Sequence, residues 1–146
     1  MKETKSKKNI LLIEDNPGDV DLILEAFNEQ SEICEIEISI IEDGEEAMLY
    51  LKQEGQYKNK KLPDIIILDL NIPKKDGRKV LHEIKSDHKI EHIPVIVLTT
   101  SVSRTDILNS YKLHSNCYIT KPPGIKELRE VVKYIKKFWF DIVTLP

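Results

Sequence analysis

The chain has 146 residues, 40% of them apolar, and its 22 basic and 25 acidic side chains leave a formal charge of −3. That length suits one domain around one core, and charges so well mixed leave no basic stripe of the kind a nucleic-acid binder presents. No apolar run approaches the roughly 20 residues that cross a bilayer, and the charged start at 1–8 lacks the apolar segment of a secretory leader, so a cytoplasmic protein without membrane contact is expected.

Five short apolar runs alternate with longer amphipathic stretches. After a flexible tail at 1–8, the first run, 10–13, ends at the acids Glu14 and Asp15. Pro17 then opens a helix with Val20, Ile23, Leu24 and Phe27 at helical spacing. The second run, 36–41, alternates Ile36, Ile38 and Ile40 with Glu37 and Ser39, as an edge strand with one wetter face does. Asp43-Gly44 precedes a second helix carrying Ala47, Met48 and Leu51. The polar stretch 53–63 reads as a long connection, with Lys58, Lys60 and Lys61 a solvated loop rather than a binding patch. Runs three and four, 65–68 and 95–98, are apolar on both faces, as central strands are. Asp76-Gly77 leads a third helix with Val80, Leu81 and Ile84. Ser103 or Thr105 caps a fourth, with Ile107, Leu108 and Tyr111. The fifth run is 118–119, and a last helix over about 124–139 carries Ile125, Leu128, Val132, Ile135 and Trp139 along one stripe.

Strict alternation of this kind predicts an α/β fold: a flavodoxin-like, doubly wound, five-stranded parallel sheet in the order 2-1-3-4-5 with five helices. Ligands then gather at the carboxyl ends of strands one and three, where the winding reverses. Cys34 and Cys117 fall on opposite edges of that sheet and read as small buried apolar residues without a disulfide. His82, His88, His92 and His114 lack a ligand-like spacing and read as surface residues.

The switch point collects chemistry. Glu14 and Asp15 end strand one and Asp69 ends strand three, so three carboxylates share one cup and repel unless a cation joins them. A hard divalent ion fits: magnesium needs one or two carboxylates and keeps several waters. A bland alternative is that Glu14-Asp15 are solvated loop acids, but Asp69 follows a wholly apolar strand and sits at the mouth of the core. Beside a metal, its carboxylate can act as a nucleophile toward phosphorus. Thr99 ends strand four and Lys121 ends strand five, supplying the hydroxyl and ammonium that would hold phosphoryl oxygens.

Glu14-Asp15, Leu68-Asp69-Leu70-Asn71-Ile72-Pro73 with Asp76-Gly77, Leu98-Thr99 and Tyr118-Ile119-Thr120-Lys121-Pro122 together resemble the receiver domains of two-component response regulators, over about residues 9–139. The stretch from Glu14 to Asp19 and the ending Phe138-Trp139-Phe140 through Pro146 look like the subgroup that partners bacterial and cyanobacterial phytochromes. The resemblance implies that Asp69 takes a phosphoryl group from a sensor histidine kinase, and the subgroup resemblance points to a phytochrome as that kinase. It implies that Asp15, Asp69 and the Asn71 carbonyl ligate Mg²⁺, or Mn²⁺ in its place, with Glu14 acting through a metal-bound water. It implies that Lys121 pairs with the phosphoryl oxygens ahead of a cis bond to Pro122, that Thr99 swings toward the phosphoryl group, and that Tyr118 rotates inward behind it. Physically, the added charge of about −1.5 to −2 would pull Thr99 and Lys121 inward. Thr100, where many relatives carry a smaller residue, and Pro123 depart from the pattern.

Seven residues, 140–146, form an apolar extension after the domain at 9–139, too few for a DNA-binding or catalytic output domain, so output by binding is expected and enzymatic turnover is not. Val131, Tyr134 and Phe138 make a second apolar stripe on the last helix, continued by Phe140, Ile142, Val143 and Leu145. With Tyr111 they suggest a homodimer face, against the alternative that the tail folds back to seal its own core. Two rivals fall on single features. An aspartate-based phosphohydrolase needs a second Asp at position 71, where Asn71 stands. Flavin binding needs a phosphate cradle after strand one, where Glu14 and Asp15 repel phosphate. A phosphorylation-independent adaptor of the same fold remains a third reading.

Overall fold

Ile65-Ile66-Ile67-Leu68, buried on both faces, forms the middle strand around which the molecule is built. The computed structural model describes residues 6–29 and 34–146, with the backbone alone for Cys34. Strands β1 (Ser6–Ile13), β2 (Cys34–Ile41), β3 (Ile65–Leu68), β4 (Val95–Thr99) and β5 (Cys117–Thr120) pair in parallel in the order β2-β1-β3-β4-β5. Helices α1 (Pro17–Phe27), α2 (Gly44–Leu51), α3 (Gly77–Ser86), α4 (Arg104–Lys112) and α5 (Ile125–Lys136) connect and follow them. The doubly wound order is the predicted one, and it places Cys34 and Cys117 on opposite edges.

Alternation along the strands makes two cores, because successive side chains of a strand point to opposite faces. Leu11, Ile13, Ile66, Leu68, Val95 and Val97 meet α2 and α3 on one face. Ile10, Leu12, Ile65, Ile67, Ile96 and Leu98 meet α1 and α5 on the other. The caps follow the sequence: Asn16, Asp43, Asp76 and Ser103 each accept a backbone N–H from the first turn of the helix they precede.

Several expectations are corrected. β1 starts at Ser6, so residues 6–8 of the expected tail are strand, paired with β2. The connection 53–63 contains a short 3-10 turn, Gly55–Tyr57, whose tyrosine donates to Glu46 at 2.6 Å and tilts against Tyr50. Residues Leu22 and Ala26 are buried in α1, where Val20 and Leu24 are half-buried. α4 buries Ser110 rather than Ile107, Leu108 and Tyr111. Ile125 is 71% exposed, and the buried residues of α5 are Leu128, Val132 and Ile135. The Lys121–Pro122 peptide is trans, the form an X–Pro bond favours when nothing selects the other.

The end of the chain carries the largest correction. Beyond α5 the backbone continues as a π-helix over Lys137–Ile142. Wider π turns bring residue i+5, rather than i+4, onto the face of residue i. Phe140 therefore follows Ile135 into the core, 8% exposed and edge-on to Phe27 with ring centroids 6.2 Å apart, while Trp139 is half-buried. Leu145 packs against the same core. The extension belongs to the domain, and Phe140 is not part of an open face. Tyr134, Phe138 and Tyr111 are exposed, and Val131 is half-buried against the core.

Candidate phosphoacceptor and metal site

The parallel register fixes the cup. β1 and β3 run side by side to Ile13 and Leu68, so the next residues, Glu14 and Asp69, emerge together. Their backbones are held by the neighbouring strands: Glu14 N–H donates to the Ile41 carbonyl and Asp69 N–H to the Ile13 carbonyl, both at 3.0 Å. From the far side, Lys121 N–H donates to the Thr99 carbonyl at 2.7 Å, joining the ends of β4 and β5. Four of the five strand ends thus deliver the acids, the hydroxyl and the ammonium of the cup.

Glu14, Asp15 and Asp69 offer carboxylate oxygens that lie within 4.8 Å of one another. The Lys121 ammonium, its side chain 4% exposed, sits among Glu14, Asp19 and Asp69, at 2.9 Å from Asp19 Oδ2 and 3.0 Å from Asp69 Oδ2 and in direct contact with Glu14. The other Asp69 oxygen, Oδ1, accepts the Asn71 N–H at 3.0 Å. Thr99 is fully buried at the end of β4. The Tyr118 ring is half-buried, and its hydroxyl donates to the Ser101 carbonyl at 2.8 Å. Gly77 packs against this loop so closely that an added Cβ would come 2.4 Å from the Asp69 carbonyl oxygen, so no larger residue fits without a backbone shift.

Electrostatics divides the carboxyls. Burial, reinforced by the neighbouring Asp69, pushes the Glu14 carboxyl up to about 7. Burial also works to raise Asp69, but hydrogen bonds from Glu14, the Asn71 amide and Lys121 outweigh it and hold the carboxyl below its usual range. Glu14, the more deeply buried of the two, holds its proton more readily. Burial opposes the charge on Lys121, yet its acidic partners prevail and raise its pKa. Asp69 is therefore an anion at neutral pH, as a nucleophile must be.

A divalent cation fits this set. Glu14, Asp19 and Asp69 bring three carboxyls to one ammonium, and Asp15 adds a fourth beside Glu14 and Asp69, exposed on the solvent side, where a metal would keep its waters. Glu14, Asp15 and Asp69, with the Asn71 carbonyl on the same loop, are the groups that would hold it. Asp19 is a site residue that sequence reasoning passed over; a lone acid in the first helical turn after Pro17 reads as an ordinary dipole-complementing charge. Arg78 and Asp106, joined by two hydrogen bonds of 2.7 Å beside the Asn71 loop, were passed over as well. The four histidines are exposed, as expected.

Comparison with known proteins agrees with this geometry. The family model of the response regulator receiver domain matches residues 10–144. Response regulator Rcp1 of the cyanobacterium Synechocystis is 46% identical over 144 residues, covering 99% of this chain and 97% of its own length. Among solved structures, the phosphorylated cyanobacterial phytochrome response regulator RcpA is similar at 51% identity with a TM-score of 0.92, covering 97% of this chain and 99% of that one. The Mn²⁺-bound form of Rcp1 has the same TM-score at 47% identity, over 95% of this chain and 99% of that one.

Proposed function

This chain belongs to the response regulator receiver domain family, and on that premise we propose that Asp69 accepts a phosphoryl group from the phosphohistidine of a sensor kinase, with Mg²⁺ bound in the acidic cup. The observation that carries this reading is the environment of Asp69. One carboxylate oxygen faces the buried Lys121 ammonium and the other the Asn71 amide, beside two further carboxyls. An attacking oxygen of Asp69 forms the bond to phosphorus while the kinase imidazole leaves. Lys121 stands where charge on the transferred group must be balanced, and a divalent cation held by Glu14, Asp15 and Asp69 would supply further positive charge there. Thr99 then offers its hydroxyl to a phosphoryl oxygen.

The chain is a phosphoacceptor in a relay rather than an enzyme with turnover of its own. Its similarity to Rcp1 and RcpA supports a phytochrome kinase as the donor and Mn²⁺ as a substitute for Mg²⁺. Exposed Tyr111 on α4, Tyr134 near the end of α5 and Phe138 in the π-helix after it support a homodimer through this side. Incubation with a small phosphodonor and Mg²⁺ tests the central claim. Wild type is expected to gain the mass of one phosphoryl group and Asp69→Asn none; equal labelling of both would move the acceptor elsewhere.

A further inference from the structure

The turn from β2 into α2 crosses the outside of the acidic cup. At one end the Ile41 carbonyl accepts the Glu14 N–H at 3.0 Å, and at the other the Gly44 N–H donates to the Pro73 carbonyl at 3.2 Å. Glu14 and Asp15 are thereby tied to the loop that runs from Asp69 through Asn71 to Gly77. Between the two ends, Asp43 caps α2 by accepting the Glu46 N–H on Oδ1 at 2.8 Å, and the Lys74 ammonium stands 3.7 Å from Oδ2. Gly44 is buried, and a Cβ added to it would lie 1.9 Å from the Lys75 carbonyl oxygen and 2.7 Å from its carbonyl carbon. Both are backbone atoms, so no rotamer change makes room.

We propose that the turn from β2 into α2 is the outer brace of the cation cup, with Gly44 a positioning residue that sets the Asp69–Asn71 side of the cup against Glu14 and Asp15; this rests on the cation-binding reading of that cup. A side chain at position 44 forces something to move, and burial decides what. Ala47, Met48, Tyr50 and Leu51 anchor α2 in the core, whereas Pro73 and Lys74 are exposed. Lys74 also holds a left-handed φ of 67°, which a residue with a Cβ keeps only where its surroundings impose it. The loop is therefore the part that gives. It is closed on itself: the Gly77 N–H donates to the Leu70 carbonyl at 3.0 Å, and Gly77 lies against the Asp69 carbonyl oxygen. A push at Lys75 passes through that closure to Asp69 and Asn71. Gly44 touches neither cation nor phosphoryl group and acts only through the loop.

The test is a titration of the full chain with Mn²⁺ alone, the free ion followed by its electron paramagnetic resonance signal, each variant held well below its own unfolding midpoint. Wild type is expected to bind more tightly than Asp15→Asn; equal binding overturns the cation reading, and the brace with it. Gly44→Ala should raise the Kd about ten-fold, the low end for groups that orient a metal's ligands from behind. Leu51→Ala, which removes core packing at the far end of the same helix, should keep wild-type affinity. A folded Gly44→Ala with wild-type affinity, or an equal loss in Leu51→Ala, overturns the brace. Where Gly44→Ala does not fold, Asp43→Ala and Asp43→Asn decide. Asparagine caps a helix as well as aspartate and alanine does not, so both lose the charge but only Asp43→Ala frees the first turn of α2 from the loop. Weaker binding in Asp43→Ala than in Asp43→Asn is expected, and equal affinities overturn the proposal.

Discussion

The carboxylate of Asp19 lies 2.9 Å from the ammonium of Lys121, although 102 residues separate them in the chain. Asp19 thereby shares the ammonium that a phosphorylated Asp69 would need. Replacing it by asparagine leaves Lys121 free to pair wholly with the phosphoryl oxygens. Asp19→Asn is expected to lengthen the half-life of the acyl phosphate several-fold, measured as loss of label after the donor is removed. An unchanged half-life would reduce Asp19 to a surface partner.

Crowded carboxyls make the fold sensitive to divalent ions. A cation that binds the native cup and not the unfolded chain stabilises by about 2.7 kcal/mol at a hundredfold excess over its Kd. Thermal unfolding of wild type should shift upward with Mg²⁺ or Mn²⁺, and a chelator should reverse the shift. Asp15→Asn, which removes the solvent-side carboxylate, should abolish most of it. A shift of equal size in that variant would place the ion elsewhere.

Phe138 and Phe140 are two residues apart and predict opposite outcomes. Phe140→Ala removes a core ring packed on Phe27 and should cost about 3–4 kcal/mol in denaturant unfolding. Phe138→Ala, half exposed, should change folding stability by no more than about 0.5 kcal/mol. If the dimer forms through this side, Phe138→Ala and Tyr134→Ala should shift the protein toward monomer in size-exclusion chromatography. Comparable losses of stability for Phe138 and Phe140 would contradict the π-helical register.

The Arg78–Asp106 pair sets a pH dependence. The hydrogen bonds from Arg78 and Ser101 bring the Asp106 carboxyl down to about 2. A folded-state pKa below the unfolded value means that the contribution is complete above the ordinary carboxylate range near pH 4 and is lost as pH falls through about 2. Arg78 is partly exposed, so solvent screening limits the contribution to about 1 kcal/mol. Stability curves of wild type and Asp106→Asn should therefore converge between about pH 4 and pH 2. Parallel curves across that window would show that the pair carries no linked proton.

The strands that lie deep were legible because burial on both faces demands continuous apolar residues; β3 matches the predicted run residue for residue, and β4 adds Thr99. β1 extends four residues earlier than its apolar run because Ser6-Lys7-Lys8-Asn9 pair with β2 alone and need no apolar face. The site residues Glu14, Asp15, Asp69, Thr99 and Lys121 were readable because each ends a strand whose order was known. Asp19 and Arg78–Asp106 were not, since charged residues in first helical turns are common and nothing in sequence marks which pairs meet across 28 or 102 residues. The inward turn of Phe140 was illegible for another reason: an α-helical count assigns the stripe to Trp139, and a single π-helical stretch moves it by one.

The Tyr111 hydroxyl accepts the backbone N–H of Tyr118 at 3.2 Å, on the open side of the last strand in the sheet. That N–H is one of the groups an incoming extended peptide would seek. A visitor that tried to lengthen the sheet here must first dislodge a tyrosine ring. Contacts on this flank are thus steered toward helices and side chains, and an exposed sheet margin is guarded against uncontrolled self-association.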